Sequence, residues 1–161
     1  MSEQTPVQAE ILQTGDPLVM AAQIVINAPA EAIFDILVQP RCHPQIDGSG
    51  SVQGMVRGPE RLAMGDRFQM RMRIRVTYWI TSTVVEFEPN RRIAWAHMLG
   101  NRWSYDLEPQ ADGGTLVREM NNLRAAGWRA HVSPVSRKPG PVQRAIAESL
   151  VRLKDLAEKG G

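Results

Sequence analysis

Between Gly65 and Leu123 the chain alternates apolar and polar residues in short segments that are separated by turn residues. Successive side chains of a β-strand point to opposite faces, so this alternation predicts strands that each bury one face. Short strands joined by tight turns are typical of an antiparallel meander. The predicted strands start at residue 67, reverse direction near Ile74–Thr77, and continue over residues 77–88, 91–98, 102–108 and 115–123.

A further strand and two short helical segments are predicted before this meander. Val19–Asn27 is rich in β-branched residues, which favours a strand. Pro29 follows, and proline is tolerated in the first turn of a helix because the N–H that it lacks would have no partner there. Pro40 and Pro44 bound a short second turn or helix, and Asp47–Gly50 predicts a turn. The apolar residues that follow Pro29 at helical spacing are Ala30, Ile33, Phe34 and Leu37.

One long helix is predicted at the end of the chain, from Pro141 to about Ala157. Its apolar residues recur at helical spacing and its charged residues lie on the opposite face, which predicts that one face is buried. Residues 128–140 contain Pro134, Pro139 and Gly140, and we therefore expect an irregular connection there. The apolar stripe of the helix consists of Val142, Ile146, Leu150, Leu153 and Leu156.

Three groups of segments carry a resemblance to a known superfamily. They are NAPAE with FDIL (residues 27–31 and 34–37), PRCHP with DGSG (40–44 and 47–50), and FEPNRRIAW with RWSYDLEP and GGT (87–95, 102–109 and 113–115). In these segments the chain resembles the SRPBCC superfamily of START-like, helix-grip proteins. It looks closest to the bacterial polyketide cyclase/dehydrase-like branch, and the resemblance covers about residues 19–157.

The resemblance implies an α+β helix-grip fold. In that fold a curved antiparallel sheet wraps around a long C-terminal helix, with two short helices after the first strand. Sheet and helix would enclose a cavity for a small hydrophobic molecule. One departure from the family's pattern is the Pro- and Arg-rich connection 133–141, next to the expected opening of the cavity.

Length and composition limit the other classes of protein. With 161 residues, 43% of them hydrophobic, we expect one domain over residues 19–158, after a flexible polar segment at residues 1–18. A net charge of +2 is too small to indicate a nucleic-acid-binding protein. The single cysteine, Cys42, is typical of a reducing compartment, and no signal peptide or membrane span is recognisable. We therefore predict a cytoplasmic protein without an integral membrane segment.

No metal site and no cofactor are expected. The sequence has no C-x-x-C pair or cluster of histidine and cysteine that would indicate a structural metal. It also lacks a Gly-rich phosphate loop, a Ser-His-Asp order and a paired-carboxylate motif.

Two histidines are candidates for proton transfer. The unperturbed pKa of His43 lies near neutrality, but a histidine in a turn, between Cys42 and Pro44, more often holds neighbouring backbone groups. His97 shares one face of a predicted strand with Ile93 and Trp95. A nucleophilic pair of Cys42 and His43 would also need a third, orienting group that the sequence does not identify.

Tyr105 and Glu119 are the other two candidates. The hydroxyl of Tyr105 could reach a ligand while its ring stays buried. Glu119 is in phase with Val117 and Asn121, and a cavity-facing Glu119 would have a raised pKa suited to proton transfer. The favoured alternative is an exposed Glu119 that pairs across the strands with an arginine.

The predicted pocket wall combines aromatic, methionine and helix residues. Aromatic side chains with a few polar tips are the usual lining of a ligand pocket, and methionines allow a pocket to adapt its shape. The alternative is that these residues only fill the core. The predicted lining residues are Trp95, His97, Trp103, Tyr105, Met70, Met72, Ile146 and Leu150. Other methionines that could contribute are Met64, Met98 and Met120.

The arginines of the first meander strand alternate with its apolar residues. We predict that they form a solvated outer face of the sheet, which consists of Arg67, Arg71, Arg73 and Arg75.

Three functions are compatible with these features. The leading hypothesis is the binding of a small apolar or aromatic molecule, lipid- or polyketide-like, in an internal cavity. The second is an enzyme of the polyketide cyclase or dehydratase type that uses pocket residues for acid–base chemistry. The third is a non-catalytic interaction protein with a filled cavity, for example a homodimer formed through a sheet edge or an outer face. The fold alone does not distinguish them.

Overall fold

A sheet of eight strands dominates the structure, a computed structural model that describes residues 6–98, 100–132 and 139–160. All neighbouring strands are antiparallel, and their order across the sheet is β1-β2-β8-β7-β6-β5-β4-β3. The last strand therefore lies beside β2, and the meander runs outward from it. The strands are β1 (Glu10–Leu12), β2 (Val19–Ile26), β3 (Val52–Arg57), β4 (Arg67–Arg73), β5 (Thr77–Glu88), β6 (Arg92–His97), β7 (Arg102–Pro109) and β8 (Thr115–Asn122).

Short helical segments interrupt the strands, and one long helix ends the fold. Helix α1 starts directly after Pro29, and its apolar side chains at helical spacing are buried, as predicted. The 3-10 turns after β8 are broken at Gly127, whose φ of 60° lies in the left-handed region that favours glycine. The helical segments are α1 (Ala30–Leu37), a 3-10 turn (Pro40–Cys42), α2 (His43–Ile46), the 3-10 segment Arg124–Val132 and α3 (Pro139–Lys159).

Helix α3 packs against the sheet and is held at its C-terminal half by β2. Ile146, Leu150 and Leu153 form its buried face. The Nζ of Lys154 donates a hydrogen bond to the carbonyl of Val25 at 3.0 Å. The carboxylate of Glu158 accepts one from the backbone N–H that follows β2 and also pairs with Lys154. These contacts fix the helix along the sheet.

The backbone of the turn after α2 lies directly against the backbone of α3. The N–H of Gly48 donates a hydrogen bond to the Oγ of Ser149 at 2.8 Å. A Cβ atom at Gly48 would lie 2.3 Å from the carbonyl oxygen of Ala145 and 2.6 Å from the backbone nitrogen of Ser149. Glycine is therefore required at this position, because a larger residue would push the helix away.

Irregular pairing occurs along two parts of the sheet. The register shifts between Val84 and Glu86 in β5, and it shifts twice where β3 pairs with β4. Such bulges bend the strand that contains them and increase its twist. Together with the long helix, this antiparallel sheet confirms the predicted helix-grip fold.

Several boundaries differ from the sequence predictions. Strand β1 lies within the expected flexible segment, and β3 had not been predicted. Helix α3 begins at Pro139 rather than Pro141, and residues 124–132, in part expected to be irregular, form 3-10 turns. Residues 133–138 of the Pro- and Arg-rich connection lie outside the described residues. None of the helices in the described part of the chain is long and apolar enough to cross a membrane.

Candidate functional site

Three central strands place aromatic and polar side chains on the face that is turned toward the core. Trp95 of β6 lies opposite Trp103 of β7, and Trp103 in turn lies opposite Asn121 of β8. Tyr105 of β7 lies opposite Glu119 of β8. Because residues two apart on a strand share a face, Glu119 and Asn121 lie next to each other on the inward side.

Glu119 is the most perturbed acid of this face. Only 2% of it is exposed, and burial raises the pKa of its carboxyl from 4.5 to about 8. The hydroxyl of Tyr105 lowers this pKa in part, whereas the charge of Asp47 raises it further. The Oε2 atom of Glu119 is buried without a hydrogen-bond partner among the described residues. At neutral pH the carboxyl is therefore mostly protonated and able to donate a hydrogen bond.

This burial overturns the favoured expectation for Glu119. That expectation is an exposed carboxylate that pairs with an arginine across the strands. The neighbours of Glu119 on β2 and β7 are Ala22 and Tyr105, and both are buried. Arg118 instead occupies the opposite phase of β8, where its guanidinium donates to Gln23.

Tyr105 supplies a neutral hydroxyl to the same site. Burial, followed by the nearby Glu119, raises its pKa well above 10.0, so the phenol stays protonated. Its ring centroid is 5.8 Å from that of Trp95. The hydroxyl is thus held between an aromatic wall and a protonated carboxyl, where it can donate or accept a hydrogen bond.

Asn121 extends this polar group along β8. It is 2% exposed, and its Oδ1 has no hydrogen-bond partner among the described residues. Its cross-strand neighbours are Met20 and Trp103. Sequence analysis placed Asn121 in phase with Glu119 but gave it no role. Its shared phase with the candidate Glu119 was the signal that could have identified it.

His97 forms a second polar pair nearer the end of the sheet. Its Nδ1 lies 2.8 Å from the Oγ of Ser82, and its ring meets that of Trp103 edge to face. Burial lowers the pKa of His97 from 6.5 to about 4, so the ring is neutral at neutral pH. Tyr105, the cross-strand neighbour of Glu119, lies opposite Ile93 of β6. Ile93 is four residues before His97, which corresponds to about 13 Å along the strand. The structure therefore does not bring His97 together with Glu119.

His43 makes the contacts of a structural residue. Its Nε2 lies 2.9 Å from the carbonyl oxygen of Leu37, at the end of α1. Its ring stacks on that of Trp95, with centroids 5.0 Å apart and an angle of 19° between the planes. Burial lowers its pKa, which keeps the imidazole neutral. The histidine thus joins α1 and α2 to the sheet.

Except for His97, the predicted lining residues belong to one continuous apolar cluster. Met72, His97 and Trp103 are half-buried, and the remainder are buried. Met64 and Met98, which could have contributed to a pocket, are exposed and lie outside this cluster. The buried lining residues are Met70, Trp95, Tyr105, Ile146 and Leu150.

Two surface hollows lie beside this cluster. One, of about 500 Å³, is lined by Gly48, Ser49 and the first turns of α3. The other, of about 320 Å³, is lined by residues of β3, β4 and β5. Among the described residues, no group of three or more His, Cys, Asp or Glu side chains could hold a metal ion.

Comparisons with known proteins identify relatives of this chain. A family model for "polyketide cyclase / dehydrase and lipid transport" matches residues 18–158. The uncharacterized protein Rv0088 of Mycobacterium tuberculosis is 36% identical over 109 residues, which are 67% of this chain and 49% of that protein. The chain thus spans about half the length of the curated relatives it matches.

Solved structures share the fold at low sequence identity. Protein Ms6760 of Mycobacterium smegmatis superposes with a TM-score of 0.69 at 14% identity, covering 96% of this chain and 100% of that one. An AHSA1-like protein of Aeromonas hydrophila gives a TM-score of 0.59 at 20% identity, with coverages of 88% and 94%. These likenesses establish the fold, since their sequence identity is too low to carry an activity.

Proposed function

The chain belongs to the polyketide cyclase/dehydrase and lipid-transport family, and on this basis we propose that it binds a small apolar or aromatic molecule between the sheet and α3. The bound molecule would contact the aromatic face of β6 and β7. Its polar end would reach Tyr105, Glu119 and Asn121.

One observation carries this proposal: two neighbouring buried oxygens of β8 have no partner among the described residues. Leaving a buried polar atom without a hydrogen bond costs about 1–3 kcal/mol. A hydroxyl or enol group of a ligand would satisfy Glu119 and Asn121 together. The surrounding Trp95 and Trp103 would contact the apolar part of the same molecule.

The charge of the site favours an uncharged ligand. Glu119 and Tyr105 are both protonated near neutral pH, and the negative charge of Asp47 acts on both of them. An anionic ligand would have to be desolvated beside that carboxylate, which is unfavourable. A neutral phenol or hydroxyketone of a size similar to naphthol fits these requirements.

A matched ligand panel tests the proposal. We expect naphthol to raise the melting temperature and to bind more tightly than naphthalene or naphthoate, as measured by calorimetry. Asn121→Leu should weaken naphthol binding by roughly tenfold, the equivalent of one hydrogen bond. Asn122→Leu, on the outward phase of the same strand, is the control and should leave binding unchanged. Failure of every member of a phenol, fatty-acid and sterol panel to bind would favour a filled interior instead.

A second candidate function is acid–base catalysis. It is favoured by the pKa of about 8 for Glu119, because a general acid or base works best when its pKa lies near the working pH. Glu119 would exchange a proton with a ligand carbonyl or hydroxyl that Tyr105 holds. Glu119→Gln should then abolish turnover of a poly-β-ketone substrate while its affinity changes little. Equal turnover by the variant would exclude this role.

Location and assembly remain predictions. A cytoplasmic protein is predicted, and a homodimer formed through a sheet edge or an outer face belongs to the alternative of an interaction protein with a filled cavity. Sedimentation velocity of the purified chain would test the second of these.

A further inference from the structure

Three connecting segments lie at the same end of the sheet. They are the β4–β5 turn with the last residue of β4 (residues 73–76), the β6–β7 turn (residues 98 and 100–101) and the 3-10 segment 124–132 after β8. Strands β4, β6 and β8 all end there because consecutive strands of the meander are antiparallel. We call these three segments together the turn surface.

Two of the segments touch, and the third projects beyond them. A Cβ atom at Gly100 would lie 2.9 Å from the Cα of Ala126, so the β6–β7 turn and the 3-10 segment are in close contact. The N–H of Met98 donates to the carbonyl of Thr81 at 3.1 Å. Strand β5 begins at Thr77, and the β4–β5 hairpin therefore extends about four residues further than its neighbour.

The turn surface carries an unusual concentration of exposed apolar side chains. Its Ile74, Val76, Met98 and Trp128 are 68–73% exposed, which makes them the four most exposed large apolar side chains of the described residues. Trp79 on the hairpin is exposed as well. Single exposed apolar residues are ordinary on a protein surface, but a group of them at one end marks an interaction site.

The charge of the turn surface is positive. Residues 73–76, 98–101 and 124–132 contain four arginines and no aspartate or glutamate. Arg124 pairs with Asp16, and the guanidinium of Arg129 lies 5.6 Å from the ring centre of Trp128. The arginines of these segments are Arg73, Arg75, Arg124 and Arg129.

We propose that the turn surface docks on the face of a lipid bilayer that contains anionic headgroups. Its apolar side chains lie on separate turns. Each can therefore insert into the headgroup region of a bilayer individually, whereas a protein partner would need a groove shaped to fit all of them. Tryptophan is favoured at the headgroup level, and arginine is attracted to anionic lipids. His97 and Trp103 lie at this end of β6 and β7, so a bilayer held here would adjoin the interior.

Vesicle flotation of the whole chain tests the proposal. Wild-type protein should float with vesicles of phosphatidylcholine and phosphatidylglycerol at low salt, and binding should fall at high salt because surface charges are screened. Ile74→Ser combined with Trp128→Ser should lower the partition coefficient by roughly tenfold, because both apolar anchors are removed. Arg73→Gln combined with Arg75→Gln should weaken binding to these vesicles more than to pure phosphatidylcholine.

Met64→Ser provides the matched control. Met64 is 61% exposed but precedes β4, at the opposite end of the sheet, so its replacement should leave flotation unchanged. Near-ultraviolet circular dichroism would verify that each variant is folded. Absence of wild-type binding to the anionic vesicles, or equal binding by the Ile74/Trp128 variant, overturns the proposal. A wild-type dimer that this variant converts to a monomer would assign the surface to a second copy and also overturn it.

Discussion

At the scale of single residues, Glu119 is the group whose environment differs most from water. It is enclosed by a phenol on β7, an alanine on β2 and an aromatic wall, and the charge of Asp47 acts on it from the turn after α2. Its neutral form is therefore stable at neutral pH. A protonated carboxyl beside a phenol places two hydroxyl groups in one small volume, and the proposed recognition of an oxygen-bearing ligand rests on them.

The titration of Glu119 should be visible in the stability of the protein. Its pKa rises from 4.5 to about 8 on folding, so between these values the folded state holds a proton that the unfolded chain has released. The free energy of unfolding contributed by this group should fall as pH rises, by up to about 1.4 kcal/mol per pH unit. Relative to wild type, Glu119→Gln should become steadily more stable from about pH 5 to about pH 8 in urea unfolding.

An exposed acid on the neighbouring strand gives the control for this experiment. Glu108 of β7 is exposed, so Glu108→Gln should follow the wild-type pH dependence. If the free energies of unfolding of wild type and Glu119→Gln change in parallel from about pH 5 to about pH 8, Glu119 does not titrate as described.

Asn121 should separate binding from stability. The Oδ1 of Asn121 is buried without a partner among the described residues, so Asn121→Leu removes an unsatisfied group and adds apolar area. We expect the free energy of unfolding to stay within about 1 kcal/mol of wild type or to rise. Binding of naphthol should weaken in the same variant. A loss of several kcal/mol on urea unfolding would mean that Asn121 has a structural partner.

At the scale of elements, the contact between the α2–β3 turn and α3 determines how closely the helix approaches the sheet. Gly48→Ala places a Cβ against two backbone atoms of α3 and should destabilise the protein by roughly 2–3 kcal/mol. Gly54→Ala is the control, because a Cβ there meets nothing within 4 Å. Urea unfolding of both variants measures the difference. Equal stability of the two would show that α3 can move away without cost.

The sequence predicted the elements whose periodicity is long and regular. The meander, the β4–β5 reversal and the buried stripe of α3 are all found. Strand β1 has only three residues, too few to show a period of two. In β3 the alternation is broken by Gly54 and by two register shifts, so the pattern was hidden. Strands β1 and β3 escaped prediction for the same reason. Short or bulged strands form because they pair with a neighbouring strand, and their own sequence shows no regular alternation.

The candidate site was predicted less completely than the fold. Alternation placed Glu119 and Asn121 on one face of β8, and that is correct. It could not decide which face is buried, since Arg118, Met120 and Asn122 make the other phase equally mixed. That choice depends on β2 and β7, which flank β8 on both sides. Asp47 acts on the site from the α2–β3 turn, far away in the sequence.

At the scale of the whole molecule, the two ends of the sheet differ in character. At one end, Lys154 and Glu158 tie α3 to the end of β2 through hydrogen bonds and an ion pair. At the other end, the turn surface presents arginines and exposed apolar side chains. The polar group of Tyr105, Glu119 and Asn121 lies on the buried face between these ends.

An amide NMR titration of the whole chain with naphthol tests the central claim most directly, namely that the interior binds a small neutral molecule. We predict saturable shifts for β7 and β8 around Tyr105, Glu119 and Asn121, and their loss in Asn121→Leu. Shifts confined to the exposed turns, or no saturable shifts at any concentration, would contradict a ligand-binding interior.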